Sequence, residues 1–197
     1  MDNTNNKNVF SLKLFWQTVI QLKVIGFISL AVVAFVSGFP IIIEGLNIKK
    51  MINAANAAAE SGAEVINMSS TYTSLVSPIS SQGVLLIVVL VITPILALYA
   101  WSFLNKRSTS FYHSLPYKRK ALFISKFAAV TFWQAVSMLT AFVASFIGYH
   151  IFRNYFIVDY GVTIHIYVAE FICALLCSAA IALACSIKRK IFCKIYK

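Results

Sequence analysis

Charged side chains are scarce in this sequence. Of its 197 residues only 12% are charged, six of these residues are acidic, and 60% of the chain is hydrophobic. A soluble domain carries about 25% charged and 45–50% apolar residues, so a water-soluble fold would expose much apolar surface. A bilayer removes that problem, because the solvent around a membrane helix is itself hydrocarbon. The composition therefore excludes an ordinary soluble domain and favours one compact membrane bundle.

Motifs of catalysis and of cofactor binding are missing as well. The sequence contains no HExxH, no Ser/His/Asp arrangement and no phosphate loop of the GxxxxGK[ST] type. Its four cysteines lack His or acidic neighbours at the spacing of metal ligands. We therefore predict no catalytic residue, no metal site and no cofactor, and the chain is not expected to be an enzyme.

Two long stretches contain no charge at all, one between Glu64 and Lys106 and one between Lys126 and Arg153. Each has room for a helix of about 20 residues, which crosses roughly 30 Å of hydrocarbon. The sequence therefore predicts an all-α, polytopic transmembrane helix bundle of about four spans, forming a single transmembrane domain over residues 1–197. The predicted spans are residues 24–43, 84–104, 127–152 and 164–187, separated by an outer loop at 44–83, an inner loop at 105–126 and a short second outer loop.

Basic residues predict the orientation. Fourteen of the 17 Lys and Arg residues fall on one side of the predicted spans: three before the first, six between the second and third, and five after the fourth. The positive-inside rule places that side in the cytoplasm, so both termini are expected there. The net charge of +11 then indicates topology and contact with anionic lipid, not binding of nucleic acid.

Residues 9–24, VFSLKLFWQTVIQLKV, form a further pattern before the first span. Lys13, Gln17 and Gln21 recur every four residues opposite an apolar face. This favours an N-terminal amphipathic helix in the inner membrane interface, with Trp16 at the level of the headgroups. The alternative is that the segment simply extends the first span into water.

Glu170 is the one acidic residue inside a predicted span. A charge there costs a few kcal/mol unless it is paired or hydrated, so one hypothesis is that Glu170 lines a pathway between the helices. The alternative is a helix that begins near Glu170, which would leave the carboxylate in the interface, because the remaining residues 171–187 are just long enough to span.

The inner loop is the most specific segment. A short aromatic and apolar stretch is stopped by Pro116 and bracketed by Lys106 and Arg107 on one side and by Lys118, Arg119 and Lys120 on the other. A basic loop alone is ordinary on the inner side. The aromatic residues within it predict either insertion into the interface or a knob for the groove of a partner.

The phrase SFYHSLPYKRKALFISKF, preceded by an apolar span and FLNKR, resembles the first cytoplasmic loop of bacterial ABC transporter permeases of the type-2 exporter class. The match is close over residues 103–127. The amphipathic segment before the first span is also similar to the connecting helix of that class.

The resemblance implies a permease that couples ATP hydrolysis by a separate ATP-binding-cassette ATPase subunit to export across the bacterial cytoplasmic membrane. Any ATPase activity would reside in that partner, and the permease would form a homodimer or pair with a second permease chain. Carried over by position, the docking residues would be Phe111, Tyr112, His113, Ser114, Leu115 and Pro116.

The chain also departs from the family, because such permeases commonly have about six spans per half, whereas this sequence predicts about four. We therefore expect a truncated copy, a half that pairs with another chain, or a fragment. The alternative function is a membrane regulator or immunity-type protein that does not transport, or the remnant of a permease.

Overall fold

Five helices make up the described part of the chain. The computed structural model describes residues 10–60, 78–102, 119–154 and 160–195, with side chains described for 10–57, 83–101, 120–154 and 160–185. The helices are α1 Leu12–Gln21, α2 Lys23–Glu60, α3 Pro78–Ser102, α4 Arg119–Ile151 and α5 Tyr160–Ile195. The last four are long and apolar enough to cross a membrane, with mean hydropathies of 2.4, 2.7, 1.6 and 2.3 over their best windows. The prediction of an all-α, polytopic bundle with four spans is confirmed.

The helices extend beyond the predicted spans. With 38 residues, α2 is about 57 Å long, so it continues through residues 44–60, which the sequence assigns to the outer loop. Ile48 keeps this extension packed, because it is buried together with Tyr149 and Phe152. At the other end of the bundle, α4 begins at Arg119, within the predicted inner loop, and Ala121, Ser125 and Lys126 of its first turns are buried.

The four long helices form a ring. Helix α2 packs most extensively on α4, and α3 packs on α5, while the pairs α2–α3 and α4–α5 complete the circuit. Helices α2 and α4 run parallel, because Ser29 contacts Ser137 and Ser37 contacts Ser145. Small residues line this seam, as in other closely packed membrane helices.

Glycine permits the closest approach along the α2–α4 seam. A Cβ at Gly26 would overlap the indole ring of Trp133, and one at Gly148 would lie 3.1 Å from Cγ2 of Ile41. The two backbones can lie this close only because these positions have no side chain.

Helix α1 confirms that the N-terminal segment is helical. Leu14, Thr18 and Val19 are buried, and α1 packs mainly on α4. Its remaining surface has an exposed apolar stripe, Leu12, Trp16 and Ile20, beside the exposed Lys13 and Gln17. Such a division suits the membrane interface, although the position of α1 in the interface stays a prediction.

Candidate functional site

The predicted docking residues Phe111, Tyr112, His113, Ser114, Leu115 and Pro116 lie outside the described residues. The structure does describe the two helices that flank them. Helix α3 ends at Ser102 and α4 begins at Arg119, and the two ends lie together at one end of the bundle, which we call the loop end.

Two contacts hold α3 and α4 together at the loop end. The rings of Trp101 and Phe123 lie 4.9 Å apart between centroids. The Nζ of Lys126 donates a hydrogen bond of 3.4 Å to the carbonyl of Ala100. The last carbonyls of a helix lack partners within the helix and carry partial negative charge, so an ammonium group is favourable there. The two helix ends are therefore packed together by one ring contact and one hydrogen bond.

Lys126 differs from Lys120, the other basic residue of the predicted inner loop whose side chain is described, which is exposed. The positive-inside argument treats it as a solvated or lipid-facing cation, but the structure leaves its side chain only 3% exposed. Its ammonium group reaches the end of α3 instead of the membrane surface. The contribution of Lys126 is therefore to helix packing.

Helix α1 is attached to α4 by hydrogen bonds at both of its ends. The hydroxyl of Ser125 accepts from the backbone N–H of Ser11 and donates to its carbonyl, each at 3.2 Å. At the other end, the indole Nε1 of Trp133 donates to the carbonyl of Val19 at 3.2 Å. One side chain of α4 thus bonds both backbone groups of Ser11, the residue that precedes α1.

We expect Ser125→Ala to loosen α1. Ser125 is 0% exposed, and its removal leaves the N–H of Ser11 without this partner, at a cost of about 1–3 kcal/mol. The carbonyl of Ser11 still accepts from the N–H of Phe15 at 3.0 Å. Unfolding of the purified protein in mild detergent would measure the loss, and protease sensitivity near residue 11 would localise it. Ser178→Ala is the matched control, because the Ser178 hydroxyl donates only within its own helix, to the carbonyl of Leu175 at 2.9 Å. Equal effects of the two variants would contradict the expectation.

A hydrophobic cluster joins these elements into one unit. It contains buried residues from α1, α3, α4 and α5, among them Val19, Trp101, Trp133 and Ala182. Because protein interiors are close-packed, the loop end can move as a rigid body. Trp101 and Phe123, which flank the predicted docking segment, therefore pack in or against a cluster that includes residues of four helices.

A second polar feature lies deeper in the bundle. The hydroxyl of Ser145 donates to the carbonyl of Ser37 at 3.3 Å and lies 2.6 Å from the hydroxyl of Tyr167. A serine hydroxyl has a single hydrogen, so Tyr167 is the donor in the second bond. These bonds connect α2, α4 and α5 inside the apolar span.

Glu170 lies on the same buried face of α5 as Tyr167. Its side chain is 2% exposed, and its Oε2 is buried without a hydrogen-bond partner among the atoms that the structure describes. Helix α5 begins at Tyr160, about 15 Å along the axis from Glu170, so the alternative of a helix that begins near Glu170 is wrong. The carboxyl group points into the bundle, while its role in lining a pathway stays a prediction.

Sequence reasoning missed the polar stripe on α4. Gln134, Ser137 and Ser145 are all buried, and together with Ala141 and Gly148 they recur at spacings of three and four residues. That spacing is the signal that could have identified one helix face. It was overlooked because none of these residues is charged.

Comparison with known proteins gives one finding. Residues 65–192 match the family model described as ABC-2 family transporter protein, which is more than half of the chain. The matched region includes α3, α4, most of α5 and the predicted docking residues. No curated protein and no solved structure is similar enough to the chain to count as a match.

Proposed function

The chain belongs to the ABC-2 family of transporter proteins, and from that premise we propose that it is the permease subunit of an ATP-binding-cassette exporter. It is a multi-pass membrane component with four apolar helices. In the proposal, a separate ATP-binding-cassette ATPase supplies the energy, and this chain supplies the route through the membrane. The family match over residues 65–192 carries the proposal.

The loop end supports a coupling role. The proposed docking residues 111–116 fall between Ser102 and Arg119, the two helix ends that Trp101, Phe123 and Lys126 hold together. An ATPase that moves an aromatic knob in this segment would displace α3 and α4 as a pair. The packed cluster then passes the motion to α1 and α5, as a rigid-body transition requires.

The proposed location is the bacterial cytoplasmic membrane, with the loop end and both termini in the cytoplasm. The exposed Lys13, Lys23 and Lys120 all belong to helix segments at the loop end. These residues would meet anionic headgroups of the inner leaflet, which supports the orientation inferred from the positive-inside rule.

We also propose that the chain works as a homodimer or with a second permease chain. Helix α5 exposes a row of apolar residues, spaced by four, to its surroundings: Ile164, Val168, Ile172 and Leu176. Lipid covers such a face in the isolated chain, and a second permease helix would cover it in an assembled transporter.

Replacement of Phe111 and Tyr112 by Ala is expected to abolish association with the ATPase while membrane insertion is retained. Aromatic anchors in the centre of an interface commonly contribute 2 kcal/mol or more each, so loss of two corresponds to roughly a thousandfold weaker binding. The measurement is co-purification of the tagged protein from its native membrane in mild detergent, with mass spectrometry of the proteins recovered.

Phe35→Ala with Phe39→Ala is the matched control. These two rings stack on α2 with centroids 4.6 Å apart, and both are exposed on the membrane span. The control pair should keep the ATPase. Recovery of the ATPase with the Phe111/Tyr112 variant would place docking elsewhere, and recovery of no ATPase with the unmodified protein would favour the regulator hypothesis.

A further inference from the structure

A small cavity lies where the four long helices meet. Its volume is about 20 Å³, and α2, α3, α4 and α5 all contribute to its wall. Most of the lining is apolar, as in the rest of the span. Four polar side chains interrupt it: Ser29, Thr93, Gln134 and Ser137.

Gln134 is the unusual member of this set. Its side chain is 6% exposed, and neither Oε1 nor Nε2 has a hydrogen-bond partner among the described protein atoms. A buried amide without partners costs several kcal/mol in an apolar medium, and bulk water is absent from the hydrocarbon region. Such a group calls for a ligand inside the cavity.

The hydroxyls beside Gln134 have acceptor capacity to spare. Ser29 donates its hydrogen to the carbonyl of Gly26 at 2.7 Å, so in the 3.2 Å contact between Ser29 and Ser137 the donor is Ser137. Each hydroxyl oxygen then keeps a lone pair. The cavity therefore offers a donor from Gln134 and acceptors from Gln134 and the two serines.

The cavity volume limits the size of this ligand. A water molecule needs about 10–15 Å³ of such space and two to four polar partners. A hydrated ion or an organic molecule needs several times more. Only a molecule with the size of water, able both to donate and to accept, fits these walls.

We propose that the cavity is a binding site for a single ordered water molecule held by Gln134. The water accepts from Nε2 of Gln134 and donates to the hydroxyl oxygen of Ser137, which joins the amide of α4 to the Ser29–Ser137 contact of the α2–α4 seam. This site needs neither the ATPase nor a second permease chain to form, since all of its lining residues belong to one chain.

NMR on the full chain in deuterated detergent tests the proposal. The sequence has only four glutamines, Gln17, Gln21, Gln82 and Gln134, so selective ¹⁵N-glutamine labelling gives few side-chain amide signals. The Gln134 signal is identified by its loss in Gln134→Met. We expect an NOE between the Gln134 amide protons and the water resonance, of the sign of a long-lived bound water. An amide that shows NOEs to Met138 and Val33 but none to water would mean a dry cavity and would overturn the proposal.

A further variant separates water from a hydroxyl proton that exchanges with it. The NOE must survive in Thr93→Val, because Thr93 lines the cavity without holding the water, and a signal relayed through its hydroxyl would disappear with it and would count against bound water. Unfolding of Gln134→Met gives a second readout. Because Gln134→Met removes the hydrogen bonds between Gln134 and the water, it should raise the unfolding equilibrium constant about tenfold. A lower constant than that of the unmodified protein would show that Gln134 binds no water.

Discussion

Gly26→Ala is expected to destabilise the bundle by about 1–3 kcal/mol, the usual cost of an extra methyl group forced into a packed core. The new Cβ would overlap the Trp133 ring, with Cε2 only 2.6 Å away. The ring cannot turn aside freely, because its Nε1 is hydrogen-bonded to the carbonyl of Val19. Either that bond breaks and α1 loses one of its attachments, or α2 and α4 move apart. Chemical unfolding in mild detergent would measure the change.

Gly83→Ala is the control for this substitution. Gly83 is also helical, but a Cβ there would meet no described atom within 4 Å. Alanine is the better helix former by about 1 kcal/mol, so the control should leave stability unchanged or raise it slightly. A Gly26→Ala protein as stable as the Gly83→Ala protein would mean that the α2–α4 seam is looser than the structure indicates.

The sequence was enough to predict the number of membrane spans but not where each helix ends. Stretches without charge identify where a helix is compatible with hydrocarbon, and this was sufficient to predict four spans. Hydropathy identifies the part of a helix that crosses the bilayer, but it does not show how far the helix continues beyond the bilayer into water. Residues 44–60 continue α2 because a helix needs only suitable local residues and packing, such as that of Ile48, to persist beyond the bilayer.

The same limit applies to the candidate site: the sequence shows which residues are unusual in a membrane span, but not which groups they contact. Glu170 could be selected from the sequence because a carboxyl group in a span is conspicuous. Lys126 could not be assigned to the end of α3, because the positive-inside rule counts basic residues without asking which carbonyl each one reaches. Ser125 and Gln134 stayed hidden for a different reason: uncharged polar residues are common in membrane helices, and only contacts distant in the sequence show what they bond.

Substitution of Glu170 gives the other large expected effect. The carboxyl group is buried, and its Oε2 has no hydrogen-bond partner among the described atoms. A buried polar group without a partner costs about 1–3 kcal/mol, so we expect Glu170→Leu to raise the free energy of unfolding in detergent by about that amount. Glu170→Gln, which keeps the shape and removes the charge, should raise it by less, because an amide in the same place also lacks a partner.

A gain in stability that accompanies a loss of activity would distinguish a pathway residue from a structural one. Strained or poorly satisfied groups persist at functional sites even though their replacement stabilises the fold. Under the proposed function, Glu170→Leu should keep the ATPase on co-purification and yet lower ATP turnover of the reconstituted complex at least tenfold. Ser178→Ala, on the same buried face of α5, should change neither property. A fall in stability for both Glu170 variants would instead show that the carboxyl group holds the bundle together, and the pathway hypothesis would then be rejected.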